Sequence, residues 1–74
     1  MVEVFKTNVR DPNQAQRLIK AIHLHYKGYQ ANFDLEDCDS ILRVSNATGV
    51  IQTSSLITFL SLFDLEVEAL VDEN

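Results

Sequence analysis

Thr7-Asn8-Val9-Arg10-Asp11-Pro12-Asn13-Gln14-Ala15 is where a first strand passes into a first helix, and the rest of the chain is arranged around that passage. Asp11 can cap the unpaired backbone donors of a first helical turn. Pro12 loses nothing at the first helical position, where its missing N–H would have no partner anyway. Gln14 can reach back to the N–H of Asp11, closing a capping box. A carboxylate also suits the positive end of a helix. The stretch therefore has a complete structural explanation without a ligand.

Upstream of it, Val2 to Asn8 is rich in strand formers. Val2 and Val4 fall on one face and Phe5, Thr7 and Val9 on the other. Downstream, the apolar period becomes helical from Pro12 to Lys27: Ala15, Leu18, Ile19, Ile22 and Tyr26 share a stripe, and Leu24 points away from it. Gly28 is the helix stop. Ala31, Phe33 and Leu35 alternate with Asn32, Asp34 and Glu36 as a second strand. Asp37-Cys38-Asp39 is a polar turn, and Leu42 and Val44 alternate with Ile41, Arg43 and Ser45 as a third strand.

After a loop over Ala47 to Gln52, Thr53 or Ser54 is expected to cap a second helix. Its buried face would be Leu56, Ile57, Phe59, Leu60 and Phe63, with Asp64 at its end. Leu65, Val67, Ala69 and Val71 then alternate as a fourth strand. The order β-α-β-β-α-β predicts an α+β, ferredoxin-like domain spanning residues 1–74. Its sheet would be antiparallel, in strand order 4-1-3-2, with both helices on one face to give an α-β sandwich.

Composition bounds the function. A chain of 74 residues makes one domain that buries roughly 60% of its unfolded surface. A formal net charge of −5 with six basic residues argues against nucleic acid and against an anionic membrane surface. RNA binding on this fold would also need aromatic side chains on the central strands, and Ile41 to Ser45 has none. The chain opens on Val2-Glu3-Val4-Phe5 without a leader pattern, and its longest apolar run, Leu56 to Phe63, is too short to span a bilayer. A cytoplasmic location is expected.

The chain resembles a heavy-metal-associated domain of the metallochaperone type. Phe5-Lys6-Thr7-Asn8-Val9 resembles the strand that leads into that family's Met-x-Cys-x-x-Cys loop. Gly28, Phe33-Asp34-Leu35-Glu36 and Leu42-Arg43-Val44 resemble its glycine after the first helix and its hairpin. The resemblance implies the fold, but the functional positions depart. Val9 stands where the family has methionine, and Asp11 and Gln14 stand where it has its two cysteines. Asp64-Leu65 replaces its Gly-aromatic pair. Soft ions want sulfur, and a carboxylate with an amide offers only hard oxygen.

Three residues are candidate metal ligands: Asp11, Gln14 and Cys38. Cys38 is the one cysteine, so neither an internal disulfide nor a multi-cysteine cage is available. In this topology the first loop, the hairpin turn and the last loop share one end of the sheet. That places Cys38 within reach of Asp11, with Asp37, Asp39 and Asp64 around it. His23 and His25, two apart on a helix, project from opposite flanks at the far end and read as surface residues. No nucleophile–base pair can be assembled, so no catalytic residue, no cofactor and no enzyme activity is expected.

The expected role is therefore a small binding or regulatory protein acting on an unidentified protein partner. The open sheet face, with Val2, Val4 and Ile41 and with Leu70 nearby, could support a homodimer. Two alternatives stay open: a divergent metal-ion binding or transport protein using Cys38 and nearby carboxylates, and an ACT-like small-molecule-binding regulatory module, which shares the element order.

Overall fold

Six elements follow one another as read from the sequence: β1 (Val2–Thr7), α1 (Pro12–His25), β2 (Tyr29–Asp34), β3 (Ile41–Asn46), α2 (Thr53–Ser61) and β4 (Val67–Ala69). The computed structural model describes residues 1–36 and 38–70. The four strands form one antiparallel sheet in the order β2-β3-β1-β4. This is the ferredoxin-like βαββαβ arrangement, with β1 and β3 central.

Register explains the two faces. Phe5 lies opposite Leu42 and Ala69, and Val44 lies opposite Ala31. These side chains form one cluster with Leu18 and Ile22 of α1 and Leu56 and Leu60 of α2. The alternation of β1 is as read: Phe5, Thr7 and, beyond the strand, Val9 are buried, while Val2 is exposed. Burying a side chain such as Leu or Phe contributes about 1.5–3 kcal/mol. The interior therefore rests on this single sheet face and the stripes of two short helices.

Some details differ from the sequence reading. Element bounds shift from the patterns: α1 stops at His25, β2 starts at Tyr29, β3 runs on to Asn46, and β4 covers only Val67–Ala69. Thr53 and Ser54 do not cap α2. Gln52 takes that position with no side-chain bond, and the Thr53 hydroxyl donates to the Ile51 carbonyl at 3.5 Å instead. Phe63 is 42% exposed. The helix ends at Ser61, and the turn through Leu62 and Asp64 carries Phe63 off the buried stripe. Asp64 closes that turn at φ 60, donating its N–H to Ser61. The expected fourth-strand residue Val71 lies outside the described residues.

The open face also departs from expectation. Val2 is 61% exposed and Leu70 42%, but Ile41 is only 7% exposed. Ile41 sits on a central strand between Lys6 and Asp34 in register, so neighbours on both sides close over it. The apolar patch on this face is thus smaller than the sequence suggested.

Candidate functional site

The β1–α1 junction, the β2–β3 turn and the α2–β4 turn do meet at one end of the sheet. Thr7 ties the first two together. Its N–H donates to the Asp39 carbonyl at 3.2 Å, and its hydroxyl donates to the Ser40 carbonyl at 2.7 Å while accepting the Val9 N–H at 3.3 Å. Asn8 ties in the third, since its Oδ1 accepts the Glu66 N–H at 3.0 Å. These bonds satisfy backbone groups that loops would otherwise leave to water.

At the passage into α1, Asp11 performs the expected cap. Its Oδ1 accepts the Asn13 N–H at 2.9 Å, and Pro12 opens the helix. The reciprocal bond from Gln14 does not form among the described residues. Gln14 instead borders a small depression with Arg17, Leu18 and Phe63. Val9, where the resemblance places a methionine, is 1% exposed and belongs to the core.

Cys38 is an exposed free thiol. It borders an open cleft of about 550 Å³ at this end of the sheet, with Lys6, Arg10, Asp39, Glu66 and Glu68 among its walls. Asp11 and Asp64 are not part of that cleft, and Asp37 lies outside the described residues. The residue that reaches Cys38 from the first loop is Arg10, whose Nη2 donates to the Cys38 carbonyl at 3.5 Å. Lys6 pairs with Asp39 at 3.6 Å, with both side chains about half exposed. Among the described residues, no group of three or more His, Cys, Asp and Glu side chains stands close enough to hold one metal ion.

The histidines occupy the other end. A 14-residue helix is about 21 Å long, which separates them from Asp11. They do diverge, but both have structural partners. His23 Nε2 accepts the Ala31 N–H at 3.3 Å, and the His25 ring stacks on Phe59 with centroids 4.5 Å apart. Tyr26 stacks on Tyr29 at 4.8 Å, and its hydroxyl lies 2.8 Å from that of Ser55. The Tyr29 hydroxyl accepts the Gln52 N–H at 2.8 Å. An apolar groove beside this cluster is lined by His25, Tyr26, Phe59 and Leu62.

Two groups of residues escaped the sequence reading. Lys6, Arg10, Glu66 and Glu68 come to one cleft through the pairing of β1 with β4 and the loops at their ends, which no local pattern encodes. The Tyr29 hydroxyl instead anchors the entry to α2 by accepting the N–H of the cap residue Gln52, and only the tertiary arrangement reveals it. No helix among the described residues is long and apolar enough to cross a membrane. Comparison with protein-family models, curated proteins and solved structures finds no match.

Proposed function

We propose that this chain is a non-enzymatic, cytoplasmic binding or regulatory protein. In this reading it resembles a heavy-metal-associated domain whose thiolate grip has been replaced by a helix cap. One observation carries the proposal: each of the three grip positions has a different occupation. Val9 is core, Asp11 caps α1 through Asn13, and Gln14 borders Arg17 and Phe63. Oxygen and amide donors in these places do not suit a soft cation.

The role left to such a frame is contact with another protein. The open sheet face supplies a small apolar surface in Val2 and Leu70, either for a partner or for a second copy. Native mass spectrometry of the untagged protein from its own cell extract tests both halves of the reading. A co-purifying subunit or a dimer without bound ions is the expected result. Stoichiometric copper or zinc that disappears in Cys38→Ser would overturn it in favour of a divergent metal-handling protein.

A further inference from the structure

The cleft at the loop end of the sheet has an uneven distribution of charge. Its floor is the end of β1 and the residue after it, from Lys6 to Asn8. Because β1 pairs with β3 on one side and β4 on the other, the cleft has two distinct walls. The β3 side carries Cys38, Asp39 and Arg10, which reaches the Cys38 carbonyl. The β4 side carries Glu66 and Glu68, and Glu68 lies opposite Lys6 in register.

On the β3 side Lys6 and Asp39 neutralise each other. Arg10 spends one N–H on a carbonyl at 3.5 Å, the outer limit of a hydrogen bond, and keeps its remaining donors for a ligand. Across the floor, neither Glu66 nor Glu68 forms an ion pair with a described residue; Glu66 is anchored only through its backbone N–H to Asn8. One guanidinium and two carboxylates thus line a single open cleft large enough for a small metabolite.

We propose that this cleft binds a free amino acid with a second cationic group: its carboxylate on Arg10, its ammonium groups on Glu66 and Glu68. A guanidinium recognises a carboxylate with paired, directed donors, while a carboxylate accepts from an ammonium in many orientations. A simple anion meets two like charges here, and a simple diamine leaves Arg10 uncompensated. Only a ligand bearing both signs satisfies both walls. This site is separate from the open-face docking role and is tested separately.

The test is a titration of the full chain with L-lysine, followed by backbone amide shifts in ¹⁵N-edited NMR. Cadaverine, which lacks the carboxylate, and 6-aminohexanoate, which lacks the α-ammonium, serve as comparison ligands. L-lysine is expected to move the Asn8, Cys38, Glu66 and Glu68 amides and to bind about threefold to tenfold more tightly than either analogue. Arg10→Gln should abolish the advantage of L-lysine over cadaverine, weakening L-lysine while leaving cadaverine bound at least as tightly as before. Glu68→Gln should weaken both, and binding should fall as salt rises. All these side chains are exposed, so the variants should keep the parent amide pattern elsewhere, including at Leu42. Equal binding of cadaverine and L-lysine would reduce the cleft to a plain cation site and overturn the proposal. So would the absence of shifts at about 20 mM L-lysine, far above a useful Kd.

Discussion

The Nε2 of His23 accepts the backbone N–H of Ala31 at 3.3 Å, so a side chain of α1 closes part of the outer edge of β2. One step earlier the Tyr29 N–H donates to the Tyr26 carbonyl, continuing the same seam. An edge strand with free donors is a template for pairing with another chain, and covering it with a helix is one way to blunt it.

His23→Leu removes the acceptor while keeping a side chain of helical propensity. The Ala31 amide is expected to exchange with solvent about twofold to tenfold faster, in line with the loss of one modest hydrogen bond. The Leu42 amide, inside the sheet, should keep its parent rate. Native-state hydrogen exchange measures both in one experiment, and an unchanged Ala31 rate would show that the edge is protected without His23.

Tyr29 and Gln52 make a second prediction. α2 begins without a side-chain cap, and the Tyr29 hydroxyl accepts the N–H of Gln52 itself at 2.8 Å. Tyr29→Phe should therefore cost about 1 kcal/mol, although the ring stack on Tyr26 is kept. Gln52→Ser should move the other way, adding about 0.5–1 kcal/mol by supplying a hydroxyl to the next donors of the helix. Urea denaturation of the two variants beside the parent gives both signs.

These examples show which parts of the molecule were legible in the sequence. The cap at Asp11, the stripe Ala15-Leu18-Ile22 and the alternation of β1 are local patterns, and local patterns with one burial face are enough to specify this topology. Ile41 lies on the face that the alternation assigns it, but its burial comes from the flanking strands, which a period of two along one strand does not record. The cleft residues belong to three separate segments, and only strand pairing together with the loop contact of Arg10 to Cys38 brings Arg10 and Glu68 to one depression. Sequence reasoning did place the three loops at one end of the sheet, but it selected Asp11 and Cys38 as the meeting pair where the structure brings Arg10 to Cys38.

Ser40 carries a third prediction. It is wholly buried at φ 46, and among the described residues its hydroxyl has no partner. A side chain in this left-handed region costs roughly 1–2 kcal/mol, which glycine avoids at an entropic cost of roughly 0.5–1 kcal/mol. Ser40→Gly should consequently be about 0.5–1 kcal/mol more stable than Ser40→Ala, since both lose the hydroxyl and only one loses the strain. Thermal and urea unfolding of the pair isolate that difference. The Thr7 bond to the Ser40 carbonyl survives in either variant, because it engages backbone only on the Ser40 side.

Asp11 gives a fourth. Asp11→Ala deprives the Asn13 N–H of its acceptor and should lower stability by about 1 kcal/mol. Asp11→Asn keeps an oxygen at the same reach and should lose much less. Equal losses in the two variants would mean that the charge at the helix end, rather than the cap bond, supplies the stabilisation.

The last prediction puts the replaced grip back. Asp11 and Gln14 are three residues apart across the first turn of α1, a spacing that sets two side chains on one side of a helix. Asp11→Cys with Gln14→Cys, in a Cys38→Ser background, should hold one Cu(I) between two thiolates, because sulfur suits the soft ion where carboxylate and amide do not. Each single cysteine variant should bind far more weakly, and the apo double variant should be about 1 kcal/mol less stable than the parent, having given up the cap. Competition against a coloured Cu(I) chelator measures the affinity. A double variant that competes no better than the single ones would show that this passage from strand to helix is not built on the frame of a metal-binding loop, and the proposed resemblance would go with it.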